Sequence, residues 1–199
     1  MLASAVDTWA TVAVAIGTLG AVAYALFRDL VLVRRRRPQL ELRFDAASSD
    51  RVVFGSDEAH VRLRLSNGRG KDTADDVVVI VTELRRLEPD EATFPIGLPL
   101  AWWSGSTPQL AVASVHPGSE RHLDLLFWPG DAALRLDVAP QPATNQHVLA
   151  AGSYEVHLEV RARNADAARY TVALEWDGEP PAEDEPWEHL RVEPPMRRP

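Results

Sequence analysis

Hydrophobic and polar positions along the chain follow two regimes that meet at Pro38. From Thr8 to Phe27 the sequence reads TWATVAVAIGTLGAVAYALF, twenty residues without a charge. A helix rises about 1.5 Å per residue, so this run just crosses the ~30 Å hydrocarbon layer of a bilayer. A soluble core helix would show a polar face within every two turns, and here only Thr11 and Thr18 interrupt the interior of the run. Trp9 at one end, with Tyr24 and Phe27 at the other, stand where interfacial aromatics belong. The pattern predicts one transmembrane helix, continued into the interface by RDLVLV (28–33). A cleaved signal peptide is the rival reading, because AVA and AYA within residues 21–25 imitate a small-residue cleavage site. Against it, no Lys or Arg precedes the apolar run, and the charge follows instead.

After Pro38, which lacks an N–H and restricts the residue before it, the period changes to two. Leu40, Leu42 and Phe44 point one way, Glu41 and Arg43 the other. The same alternation returns at Val61–Leu65, Leu134–Val138, Tyr154–Ala162 and Tyr170–Trp176, the signature of half-buried antiparallel strands. VVVIV (77–81) is a continuous β-branched run suited to a central or core strand. Turn residues separate these runs at 67–72, 88–95, 116–120, 128–131, 151–153 and 163–168. No amphipathic helix of useful length follows residue 38. The expected architecture is mainly β, an N-terminal transmembrane α-helix followed by an immunoglobulin-like antiparallel β-sandwich of seven to nine strands. Three regions follow: a membrane anchor with a basic collar (1–37), the β-domain (38–177), and an acidic, Pro-rich tail (178–199) with scope to add an edge strand.

Charge sharpens the topology. Residues 1–37 hold five arginines against two aspartates, a surplus of three positive charges, so residues 38–199 carry −11 of the chain's net −8. Arg34, Arg35, Arg36 and Arg37 follow the apolar run directly, and cytoplasmic flanks are enriched in such residues. The predicted location is the inner (cytoplasmic) membrane, N-terminus outside and β-domain in the cytoplasm. The four arginines also suit lipid contact, at roughly 1 kcal/mol each beside an anionic leaflet. An acidic domain disfavours nucleic acid as a partner. The absence of cysteine excludes disulfides and thiolate chemistry. Ala13, Gly17, Ala21 and Ala25 recur every four residues on one helix face, a candidate seam for helix pairing and a homo-oligomer.

VRLRLSNGRGKDTADDVVVIV (61–81) resembles the strand-turn-strand of bacterial Ig-like modules of the CARDB kind, in which an Asn near a strand end is followed by Gly, a spaced Ala and a Val-rich strand. Gly70, Ala74 and Val77 keep that spacing, Asn67 is displaced by one residue, and the turn is longer. PGSERHLDL and GSYEVHLEV resemble the paired strands toward the end of such modules. The resemblance spans about 100 residues and implies a fold and a tendency to bind or space things, with no chemistry.

No catalytic, cofactor or metal residues are assigned. His60, His116, His122, His147, His157 and His189 are scattered, without HExxH or a metal-ligand pair on one element. His116 and His122 flank a turn and could meet across a hairpin; His157 lies between Glu155 and Glu159 on a polar strand face. GxSxG, P-loop and GxGxxG patterns are absent. Trp102 and Trp103 are adjacent in a Pro/Gly-rich segment, and on a strand they would face opposite sides. One is therefore a candidate partner surface and the other a core residue. The expected function is a membrane-anchored, non-enzymatic protein-interaction module that works without a cofactor. The alternatives are an extracytoplasmic envelope binding protein of opposite topology and an accessory subunit of a membrane complex.

Overall fold

A computed structural model describes residues 2–44, 51–54, 58–102, 109–110, 112–130, 133–141, 144–179 and 188–199. The chain forms two compact units, residues 1–37 and 38–199.

The first unit is helical: α1 (Leu2–Phe27), a π-helical turn over Arg28–Leu32, and one further turn, α2 (Val33–Arg36). Alanine carries the best intrinsic helix propensity, which offsets the weaker contribution of the valines. The Thr18 hydroxyl donates back to the Val14 carbonyl at 2.9 Å, so the polar atom is satisfied within the helix. Arg37 leaves the helix with ψ at 140°, as the residue before a proline must. Val12–Arg36 is long and apolar enough to cross a membrane, by length and composition, and none of it is buried in the protein. Ala13, Gly17, Ala21 and Ala25 are exposed along α1, and a Cβ added at Gly17 would meet nothing within 4 Å.

The second unit is mainly β. Its described strands are β1 (Leu40–Arg43), β2 (Arg51–Phe54), β3 (Glu58–Asn67), β4 (Ala74–Glu88), β5 (Ala92–Pro99) and β6 (Val112–Val115). They continue with β7 (Glu120–Trp128), β8 (Arg135–Leu136), β9 (Gly152–Ala162), β10 (Ala165–Trp176), β11 (Leu190–Val192) and β12 (Met196–Arg197). One antiparallel sheet runs β1-β3-β7-β8, with β2 also on β3. The other runs β11-β10-β9-β4-β5, with β6 on β4 and β12 on β10.

Period-two patterning sets what each sheet buries. On β3, Val61, Leu63 and Leu65 are at most 2% exposed, while His60 and Arg64 on the opposite face are only half-buried. On β4, Val77, Val79 and Val81 are fully buried, whereas Val78 and Ile80 face outward and are half-covered. Residues of both sheets belong to one hydrophobic core, which Trp102, Leu125, Tyr170 and Trp176 also join. Burial of each such side chain stabilises the fold by about 1.5–3 kcal/mol. Past β5 the chain moves from one sheet to the other: Leu100 N–H donates to Val79, Ala101 N–H to Asp137, and the Ala101 carbonyl accepts from Asp124 N–H.

Asn67 knots the start of this unit. Its Oδ1 accepts from Gln39 N–H at 3.1 Å, and its Nδ2 donates to the carbonyls of Asp72 (2.8 Å) and Val115 (3.0 Å). The Tyr170 hydroxyl, from β10, donates to the Leu40 carbonyl and so ties β1 to the other sheet. Gly152 begins β9 at φ +150°, where a Cβ would lie 2.2 Å from the Glu88 carbonyl oxygen. Only glycine permits that approach.

Several sequence expectations change. Residues 92–95, read as turn, open β5; Pro95 and Pro99 obscured the alternation, and an edge strand tolerates proline. Leu134–Val138 yields the two-residue β8 and isolated bridges from Arg135 to Val148 and from Val138 to Leu100. The segments PGSERHLDL and GSYEVHLEV do not pair, because β7 joins β3 and β8 while β9 joins β4 and β10. His116 and His122 do not meet across a hairpin: β6 pairs with β4, and His116 contacts the Thr73 hydroxyl at 3.2 Å. The tail returns along β10 as β11 and β12 and belongs to the same compact unit.

Candidate functional site

The polar side of the first sheet carries a half-buried charged cluster. Strand alternation sends His60 and Arg62 away from Val61 and Leu63. On β7 the register shifts by one residue, Val61 pairing with Leu126 but Arg62 with Asp124, which leaves Leu125 as the extra residue of a bulge. The bulge sets Asp124 opposite Arg62. Arg62 Nε donates to Asp124 Oδ1 at 2.8 Å, with both side chains only 7% exposed.

His60 Nδ1 lies 3.8 Å from Asp124 Oδ2, and its ring packs against Phe127, its register partner, at a centroid distance of 4.8 Å. Asp137, just beyond β8, is held by its backbone: its N–H donates to Leu125 and its carbonyl accepts from Ala101, both at 3.0 Å. One ligand atom from each of His60, Asp124 and Asp137 lies within 4.8 Å of the others. Burial, reinforced by the charge of Asp124, pushes the Asp137 carboxyl up to about 6. Burial lowers the proton affinity of His60; Asp124 opposes that shift and Arg62 adds to it. The cluster thus joins a clamped carboxylate, an imidazole that favours its neutral form and a carboxyl that retains its proton toward neutrality.

A second cluster lies on the outer face of the other sheet. His157 Nδ1 is 3.2 Å from Glu83 on β4, and its Nε2 is 3.5 Å from Glu155 and 3.0 Å from Arg198 Nη2. Glu159 is taken instead by Arg161 at 2.5 Å and Arg169 at 3.5 Å, and the Arg161 hydrogen bond holds its carboxyl below the usual range. Arginines therefore engage His157, at the centre of the Glu155–Glu159 triplet, and its Glu159 end. An open cleft of about 520 Å³ near the start of β9 is lined by Glu88, Gly152, Glu175, Trp176 and Asp177, among others.

The residues singled out from sequence are dispersed. Arg34 to Arg37 are exposed at the end of the helical unit. Trp102 is 2% exposed and serves the core, so it offers no partner surface; Trp103 lies outside the described residues. The sequence reading assigned no ligand role to His60, Asp124 or Asp137, which the fold brings together from three elements. A signal was present: both aspartates interrupt apolar runs, in HLDLLFW and LRLDV. An Asp at the polar position of a strand ordinarily faces water, and only the neighbouring chain segments bury it.

In comparisons with known proteins, no family model matches the chain, and no curated protein or solved structure matches it significantly.

Proposed function

We propose that the chain is a single-pass membrane-anchored, non-enzymatic interaction module whose immunoglobulin-like β-sandwich stands in the cytoplasm. The observation that carries this reading is the apolar helix over Val12–Arg36, none of it buried in the protein, ended by four arginines and Pro38, in a compact unit of its own. An unburied apolar helix of this length needs a lipid environment to cover it, and the trailing arginines favour a cytoplasmic C-terminal side.

Two features support the sandwich and its immunoglobulin-like character. Strand order β10-β9-β4-β5 beside β1-β3-β7 follows the G-F-C-C′ and A-B-E arrangement of such domains. Tyr154, near the start of β9, donates its hydroxyl to the Ala150 carbonyl at 2.8 Å and accepts from Ala150 N–H, as a tyrosine corner does. The Asn67 knot adds a structural role for the asparagine on which the CARDB resemblance rests. A domain of this kind acts through its loops and edge strands on a protein partner, and Arg34 to Arg37 add lipid contact.

Reporter fusions at each terminus test the reading. A C-terminal fluorescent protein should glow and a C-terminal phosphatase should stay inactive, with the chain resisting alkaline extraction from membranes. Phosphatase activity at the C-terminus would overturn the topology in favour of an envelope protein, and N-terminal sequencing that begins after residue 25 would replace the anchor with a cleaved signal.

A further inference from the structure

We propose that His60, Asp124 and Asp137 form a binding site for a divalent transition metal of the zinc class, which clasps β3, β7 and the segment after β8. Bonds from zinc to nitrogen or carboxylate oxygen are about 2.0–2.2 Å, so two ligands of one ion lie at most about 4.4 Å apart. The 3.8 Å between His60 Nδ1 and Asp124 Oδ2 already meets that limit. The other separations in the trio are within 4.8 Å, at most about 0.4 Å beyond that limit.

The surroundings orient these ligands. Arg62 holds Oδ1 of Asp124, which leaves Oδ2 turned toward His60, and Phe127 fixes the imidazole plane. Metal-binding carboxylates are commonly hydrogen-bonded in this way. The backbone bonds of Asp137 to Leu125 and Ala101 fix the third donor from another segment. One imidazole with two carboxylates suits zinc, cobalt or manganese better than calcium, which takes six to eight oxygens.

The test uses the full-length chain in detergent, tag removed and stripped with EDTA, titrated with Zn²⁺ by calorimetry and with Co²⁺ by visible absorption. The expected result is one ion per chain, a raised melting temperature, and a Co²⁺ band typical of mixed nitrogen and oxygen ligation. Asp137→Asn, which keeps the side-chain shape, and His60→Gln should each weaken binding at least ~10-fold, the scale on which even outlying partners of a metal site act. The exposed Asp90→Asn should leave it unchanged. Failure of the folded wild type to bind either ion at one per chain overturns the proposal, as does wild-type affinity in a folded Asp137→Asn chain. Neither outcome depends on which side of a membrane the domain occupies.

Discussion

His60 and His157, each 16% exposed, sit on the polar side of a long strand beside two carboxylates and an arginine, yet the first sheet buries its Arg62–Asp124 pair and the second leaves Glu83 and Glu155 partly in water. In the first, Arg62 and Asp124 are 7% exposed and Asp137 approaches from a separate segment. In the second, Glu83 and Glu155 are 38% and 29% exposed around His157, and Arg198 arrives from the tail. Similar residue types therefore differ in energetic consequence, because burial removes the water that would otherwise solvate each charge. A buried pair is costly to break, since the partner left behind keeps an uncompensated charge. An exposed pair is replaced by solvent.

Breaking the buried cluster should give the largest effect. Arg62→Met strands the Asp124 carboxylate and should cost about 3–5 kcal/mol in chemical denaturation. A loss under about 1 kcal/mol would show that water reaches Asp124 and would erase the contrast between the sheets.

Asp137 offers a pH test of intermediate size, run in EDTA. Its folded proton affinity, at about 6, exceeds the ordinary value of 3.8. The stability that its protonated form contributes is complete below about pH 4 and lost as pH rises through 6. Asp137→Asn cannot ionise, so it should match the wild type at pH 4 and exceed it at pH 8 by on the order of 2 kcal/mol. That is below the ~3 kcal/mol implied by two pH units, because Asp137 is only partly buried. Equal stability of the two chains at pH 8 would place the carboxyl in water.

The smallest effect belongs to the second sheet. Arg198→Ala should cost less than about 1 kcal/mol, and the loss should fade in 1 M salt, where screening acts within about 3 Å. Double-mutant cycles then measure the contrast directly: coupling between Arg62 and Asp124 should exceed that between His157 and Glu83.

Much of the fold was legible because alternation is a local property. Leu40–Phe44, Val61–Leu65, Tyr154–Ala162 and Tyr170–Trp176 each overlap a described strand with its apolar side inward. The misses have two causes. Pro95 and Pro99 hid β5, which survives because it lies at an edge. Leu134–Val138 had the right alternation but found a partner strand for only two residues. Little of the candidate site could be read in advance. His60, Asp124 and Asp137 are far apart in sequence, and their meeting depends on a bulge at Leu125 and on the passage of Ala101 between sheets.

The amino-acid sequence alone determined the apolar helix, its end at Pro38, and the side of most strands that faces the core, because each follows from residues within a turn or two of one another. The tertiary structure alone decided that Trp102 enters the core and that Arg62 and Asp124, on the polar side of their strands, are nonetheless buried. A period of two tells which way a side chain points. It cannot tell what lies across from it, since that is set by the register and crossing of segments distant along the chain.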